Sequence, residues 1–314
     1  MKNNDQQNSN PKICPGRREF LKKSLTYGCT GVMGLTIPSL MTGCDTPAEC
    51  TDGNIREGYQ PVVSSAWIPK GEHTRSYDTF KETVEAATDF SWLSKGDRVL
   101  IKLALNSKDL FPATTDPWAL ACMIDLLNEK GISPDDILVG DKCGVESVYP
   151  KLHTDELNTN TKVCLKHTGL LEAIGDKATA VDFDDFDYKA VPAEGVSGKV
   201  NITSLVDDVD HIIYMPRVAT HIVAGQTFGL KISVGFLNLG SRVAMHFGGM
   251  FHHFYASVND TPDIKNKFRL TVTSARKLMT TGGPNSGTIV EPDHGLIFAS
   301  EDILASDILA TSFL

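Results

Sequence analysis

The sequence predicts an α/β fold: a mainly parallel sheet with flanking helices, built on βαβ units. Two observations carry the prediction. The apolar runs at 96–105 ("GDRVLIKLAL"), 135–141 ("DDILVGD") and 212–215 have the length and side-chain types of buried strands. Between the first two lies a well-marked helix with short connections, which makes a strand–helix–strand unit and hence a parallel pair.

Each element has its own local reason. In "DTFKETVEAATDFSWL" the residues Phe80, Val84, Ala87 and Leu93 recur near helical spacing, with Asp78 as the expected N-cap. The next helix opens at Asp116-Pro117, a capping acid followed by a proline at the first helical position. Trp118, Ala121, Ile124 and Leu127 form its apolar face, and Gly131 is the expected stop. Residues 269–275 read as a further strand. "SEDILASDILATSFL" reads as a closing helix capped by Ser300, with Ile303, Leu304, Ile308 and Leu309 facing inward. It reaches Leu314 with no glycine or proline terminator, which leaves open that the native chain continues past this point. Residues 145–205 have no clear period, and their acidic run 182–189 reads as a solvated edge or insertion, since it lacks a complete calcium-loop pattern.

The first 43 residues read as a separate export signal. Arg17-Arg18 followed by Phe20, Leu21 and Lys22 looks like a twin-arginine signal, and the mildly apolar run 24–41 is too short and glycine-rich for a permanent span. Leu40-Met41-Thr42-Gly43-Cys44 resembles a lipobox, which would leave a lipid on Cys44; cleavage by a general signal peptidase stays open. The expected organisation is signal 1–43, linker 44–65 and a single α/β domain over 66–314. The expected location is the periplasm or the outer face of the cytoplasmic membrane, with the twin-arginine machinery and the membrane as partners.

The whole chain carries 30 basic and 39 acidic residues. Loss of 1–43 removes six basic and two acidic residues and leaves a formal charge of −13. Such a body repels nucleic acid, which is excluded as a partner. Among the seven cysteines no C-x-x-C pair occurs, so zinc-ribbon and ferredoxin-type spacings are absent. Cys50, Cys122, Cys143 and Cys164 are left as buried thiols or as one or two disulfides.

The candidate site comes from strand ends. Ligands of open parallel sheets bind beyond the carboxyl ends of the strands. The three strand-like runs deliver Lys102 and Asn106, Asp141, and Arg217 with His221 to such an edge. "RVATHIVAGQTFGLKISVG" adds Lys231 to a stretch otherwise apolar, hydroxylic or glycine, and "SRVAMHFGGMFHHF" adds Arg242, His246, His252 and His253. Charges there are expensive to bury without partners. Lys231, His246 and His221 are the catalytic candidates, because a histidine exchanges protons near neutrality and a lysine in an apolar pocket becomes a base or an imine-forming nucleophile. Arg217, Arg242, Asp141, Lys102 and Asn106 are the substrate-binding candidates, the arginines for a carboxylate or phosphate. Gly225, Gly229, Gly235 and Gly240 would let backbone approach the ligand. The competing reading is an internal ion-pair network with Asp208 and Asp210. A metal held by His246, His253 and His221 is a third reading, opposed by Gly248-Gly249, which interrupts a regular helix.

The blocks "VLIK", "PATTDP", "LVGDKCG", "DHIIYMPRVATH", "GLKISVG", "SRVAMH", "GGPNSG" and "GLIFASEDILASDILAT", in this order over residues 60–314, resemble the domain of unknown function family 362. The resemblance implies the fold and the site above. Family members commonly show V-P-K-x-K-T-H, where this chain has Arg217 and Ala219 in place of the lysines. The L-K-N motif keeps Lys231 and has Ile232 for asparagine, Leu103-Ala104 follow Lys102, and Arg242 and His246 are retained. Some members carry ferredoxin-type cysteines, which this chain lacks.

Three functions fit: an enzyme acting on a small anionic substrate, with redox-linked chemistry as one form of it; a lipoprotein that binds an anion or metal without chemistry; and a partner-docking lipoprotein with a degenerate site. Twin-arginine export handles folded, often cofactor-loaded cargo, which is the ground for expecting a metal or redox cofactor.

Overall fold

The computed structural model describes residues 61–72, 76–144, 161–194, 196, 198–248 and 251–314. All fall in one compact unit, Asn54–Leu314. The expected signal, Cys44 and most of the expected linker lie outside the described residues.

The elements follow in chain order. They are β1 (Ser64–Pro69), α1 (Tyr77–Ala87), β2 (Val99–Leu103), α2 (Pro117–Glu129), β3 (Ile137–Asp141), α3 (Thr161–His167) and α4 (Leu170–Ile174). Then come β4 (Thr179–Asp182), β5 (Tyr188–Ala193), β6 (Gly198–Thr203), β7 (His211–Met215), β8 (Arg217–His221) and β9 (Gly225–Thr227). The rest are α5 (Gly229–Ile232), α6 (Leu239–Phe247), α7 (Phe251–Asp260), α8 (Pro262–Lys265), β10 (Phe268–Met279), β11 (Ile289–Val290), β12 (His294–Ser300) and α9 (Ile303–Phe313).

The fold is mixed α/β. The main sheet runs β1-β12-β10-β7-β2-β3-β4. Its centre, β10 through β4, is parallel, and β12 and β1 add antiparallel strands at one side. β8 pairs with the far half of β10, and β9 folds back on β8. β5 and β6 form a separate antiparallel pair.

Side-chain alternation divides the core into two layers. Val99, Ile101 and Leu103 of β2, Ile137 and Val139 of β3, and Ile213 and Met215 of β7 pack with α1 and α2 on one face. Leu100, Leu138, Ile212 and Tyr214 pack on the other, with Phe236, Leu237, Met245 and Phe254. Both faces are covered, so the strands read as continuous apolar runs. Lys102 belongs to the second face by parity and is fully buried.

α2 begins as the sequence predicts: the Asp116 carboxylate accepts the Trp118 N–H at 3.1 Å, and Pro117 opens the helix. Asp116 also accepts from Arg276 at 2.8 and 2.9 Å, so this cap ties α2 to β10. Two expected caps differ. Ser76, not Asp78, holds the cap position of α1. At the closing helix Ser300 ends β12 and donates to the Val62 carbonyl, while the Asp302 side chain accepts from Leu304 and Ala305 N–H. The expected inward face of α9 holds in part: Ile303 and Leu309 pack against the core, whereas Leu304 and Ile308 are 51% and 63% exposed and Ser306, Asp307 and Ala310 are buried. The reason is a polar contact made by Asp307, described below. In the acidic run 182–189 Asp184, Asp185 and Asp187 are exposed, as expected of a solvated edge, while Phe183 lies in the core. Among the described residues, Cys122, Cys143 and Cys164 are buried and form no disulfide, with Cys143 Sγ 3.2 Å from Cys164 Sγ, and no helix is long and apolar enough to cross a membrane.

Candidate functional site

The carboxyl ends of the adjacent parallel strands β7, β2 and β3 lead to one cavity. It has a volume of about 60 Å³, opens to solvent, and is lined by Asn106, Asp141, Arg217, Lys231, Gly235 and Arg242 among others. A water occupies about 30 Å³ of liquid, so the space suits a small charged group with the rest of a ligand reaching outward. A larger groove of about 300 Å³ lies beside Phe111, Trp118 and Arg276. Its arginine is already committed to Asp116, so it offers less unspent chemistry.

Lys142, Arg217, Lys231 and Arg242 line the cavity, and Lys102 is buried behind Asp141; Lys142 is paired with Asp184, and the other four cations differ in what they are bonded to. Lys102 has a full complement. Its Nζ lies 2.7 Å from Asp141 Oδ1, donates to the Leu103 carbonyl at 2.7 Å, and sits beside the stacked rings of Phe183 and Phe236. Burial pulls its pKa down to about 8 against the upward pull of Asp141. Asp141 is equally committed, accepting the N–H groups of Lys142 at 2.7 Å and Leu105 at 2.8 Å. The pair therefore pins the loops after β2 and β3 to each other.

Arg242 is fastened too. Its guanidinium donates to the carbonyls of Leu237, Cys143, Lys142 and Gly235 at 2.7–3.2 Å. That uses four of its five N–H donors. It stitches the start of α6 to the loop after β3.

Arg217 and Lys231 are the less committed pair. Arg217 is buried and donates only through Nη1, to the carbonyls of Pro112 and Ala113. Its Nε and Nη2 have no hydrogen-bond partner among the described residues. Burial lowers its pKa to about 10, which still leaves it cationic at neutral pH. Lys231 Nζ has no hydrogen bond and no carboxylate partner among the described residues; its recorded neighbour is the Phe251 ring, 6.0 Å away. The residue is only half-buried because it faces the cavity. Protein atoms nonetheless surround it, and burial, then Arg217 and Arg242, pull its pKa down to about 7.

The expected histidines flank this lysine. The rings of His221 and His246 lie 6.1 and 5.2 Å from the same Phe251 ring. His221 Nδ1 accepts the N–H groups of Val223 and Ala224, both at 3.1 Å, so its proton resides on Nε2. Burial, then Lys231 and Arg217, hold it far below the ordinary histidine range. His246 Nδ1 faces the Arg242 carbonyl at 2.7 Å and must carry the hydrogen, which leaves Nε2 with a lone pair. Burial lowers its pKa as well, partly offset by that carbonyl. Neither histidine is among the residues lining the cavity; both stand beside Phe251 at its margin, one imidazole with a hydrogen to donate and one with a lone pair to accept.

Other expectations are redistributed. Asn106 lines the cavity and its side-chain amide donates to the Asn285 side chain, within the "GGPNSG" loop. Asp208 and Asp210 do not serve the cations at the site; both bond Arg98 at the amino end of β7. His253 lies on α7 and lines a different groove, and His252 pairs with the Tyr255 hydroxyl. Among the described residues no three His, Cys, Asp or Glu side chains gather to hold a metal. Two of the expected ligand-approach glycines serve protein contacts instead. A Cβ on Gly235 would overlap Asp141 Oδ1 and Lys102 Nζ, so the glycine admits the buried pair. A Cβ on Gly229 would press on Asp307 Oδ1 at 2.9 Å.

Asp307 is the functional residue that sequence reasoning missed. Its carboxylate accepts the N–H groups of Gly229 and Leu230 and so caps the short helix that carries Lys231. The available signal was an acid among the apolar and small residues of "ILASDILATSF".

Comparison with known proteins adds the following. Among solved structures, one similar chain is described as "Structure of the lactate racemase apoprotein from Thermoanaerobacterium thermosaccharolyticum", with 12% identity and a TM-score of 0.47. The alignment covers 76% of this chain and 54% of that one, so the chain spans about half the length of that structure. No curated protein matches the sequence. The family described as "Domain of unknown function (DUF362)" matches residues 99–312, which include every residue of the cavity, and the chain belongs to that family.

Proposed function

We propose that the chain is an enzyme that binds a small anion at the carboxyl edge of the sheet and moves a proton there. The observation that carries the reading is Lys231: a cation facing the cavity, with no counter-charge bonded to it, beside Arg217, which has donors to spare. A carboxylate or phosphate supplies the missing negative charge, and Arg217 can orient it through paired N–H groups. Lys231, with its lowered pKa, and the bare Nε2 of His246 are the proton acceptors; His221 Nε2–H is the donor. Lys102, Asp141 and Arg242 hold the walls of the site.

In this reading residues 1–43 direct twin-arginine export and Cys44 carries a lipid that tethers the domain at the outer face of the cytoplasmic membrane. Intact mass and N-terminal sequence of the protein recovered from membranes test that part. For the site, a thermal-shift series with acetate, lactate and phosphate tests binding, and proton exchange at the carbon next to a bound carboxylate tests chemistry. Stabilisation that disappears in Lys231→Met supports the site; no response to any small anion overturns it. Metal content and a visible spectrum of the same preparation test for a cofactor.

An anion-binding module without chemistry is the second reading. Ala219 favours it, because family members commonly place a second lysine there. Saturable stabilisation without exchange or turnover would select it.

A further inference from the structure

A lysine whose task is only to pair with an anion gains from staying charged, and proteins keep it charged with a nearby acid. The acids near Lys231 are occupied. Asp141 spends its carboxylate on Lys102 Nζ and on two backbone N–H groups. Asp307 spends both oxygens on Gly229 and Leu230. The charges acting on Lys231 through space are mostly cations: Arg217, Arg242 and Lys102. Holding a carboxylate is already within the reach of Arg217, whose planar fork suits that task better than an ammonium. The surplus lysine, placed among like charges in a partly apolar wall, has the environment of an amine nucleophile.

We propose that Lys231 forms an imine with the carbonyl carbon of a small 2-oxo acid whose carboxylate is held by Arg217. The inference rests on the anion-binding reading above. The neutral amine attacks the carbonyl carbon; a C–N bond forms while the C=O π pair moves onto oxygen. His221 Nε2–H stabilises that oxygen by donating a hydrogen bond. His246 Nε2 carries the two amine protons in turn: the first passes from the attacking nitrogen to the alkoxide, giving the carbinolamine hydroxyl, and the second passes from the carbinolamine nitrogen to that hydroxyl as it departs. Water leaves and C=N forms. The balance is amine plus ketone giving imine plus water, with no change of oxidation state, so no redox partner is required. With the lysine pKa near 7, a substantial share of the amine is unprotonated at neutral pH.

The test uses the purified full chain, pyruvate and 2-oxoglutarate as probes, and sodium cyanoborohydride as the trap. The expected result is a mass increase of one reduced adduct, mapped by peptide sequencing to Lys231 in the wild-type chain. Propionate, which has a carboxylate and no ketone, is expected to compete with the adduct and to form none. Lys231→Arg should lose the adduct, with circular dichroism as the check on folding. Mapping in the wild type decides the matter even where that variant fails to fold. Stabilisation by pyruvate or propionate with no adduct overturns the imine and leaves the anion site standing. An adduct mapped to another lysine also overturns it. No stabilisation and no adduct with any of the three acids overturns both.

Discussion

Asp307 reaches Gly229 across 78 positions of sequence and accepts its N–H at 2.8 Å, with the Leu230 N–H at 3.0 Å on the other oxygen. The closing helix thereby fixes the turn that presents Lys231. Losing such a cap costs about 1–2 kcal/mol, so Asp307→Ala should lower stability by that order and weaken anion binding through Lys231. Burial holds the acid up to about 7 from an ordinary 3.8. Between these values the folded chain binds a proton that the unfolded chain has released. The contribution is therefore fully present below the unfolded pKa and is lost as pH rises through about 7. Asp307→Asn should remove this slope in urea unfolding measured across that range.

Lys231 has the opposite dependence. Its pKa falls to about 7 from 10.5, so between these values the unfolded chain binds more protons. Stability should rise with pH across that window. Lys231→Met should flatten the rise and leave the variant more stable than the wild type below pH 7. Unchanged pH dependence would mean that the ammonium is well solvated.

Lys102 and Asp141 should behave as a coupled pair. Removing one partner of a buried ion pair costs about 3–5 kcal/mol. Lys102→Met should reach that range, and adding Asp141→Asn should recover part of it, because the amide oxygen still accepts a backbone N–H without leaving a charge. Additive losses in the double-mutant cycle would contradict the pairing.

The hydroxyls of Thr271 and Thr273 on β10 are buried without a hydrogen-bond partner among the described residues. An unsatisfied buried donor costs about 1–3 kcal/mol. Thr273→Val keeps the shape and removes the polar group, so the melting temperature should rise. A fall would reveal a partner for the hydroxyl.

The two histidines should show opposite tautomers in nitrogen-15 spectra. His221 should carry its proton on Nε2 and stay neutral into acid solution, and His246 should carry its own on Nδ1. Protonation of His221 near its ordinary pKa would show that the ring is solvated and not buried beside Lys231 and Arg217.

Much of this arrangement was legible in the sequence, for a definite reason. β2, β3 and β7 are covered on both faces, so their runs are apolar on both faces up to Lys102 and Asp141, and Asp116-Pro117 marks a helix start through local geometry alone. The strand-end rule then brought Asn106, Asp141 and Arg217 to one edge. What each cation bonds to was not legible. Arg217 and Arg242 look alike as letters, yet one donates through a single nitrogen to two carbonyls and the other ties four together. Such assignments depend on loops meeting in space. The inward face of α9 was misread in part for a related cause: periodicity counts apolar residues, and burial of Asp307 turned the helix toward a polar contact.

The pairing of β1 with β12, Ser64 opposite Ala299, bears on the order of assembly. Among the described residues β1 has no other strand beside it in the sheet. It must wait, unpaired, while some two hundred and thirty intervening residues are made. Contacts this distant in sequence fold slowly, because the chain between them must be closed first. The Lys231 turn waits as well, since its cap belongs to the helix that follows β12. Sheet edge and Lys231 turn are thus completed by the same late segment, residues 294–313, and a chain arrested before it would have neither.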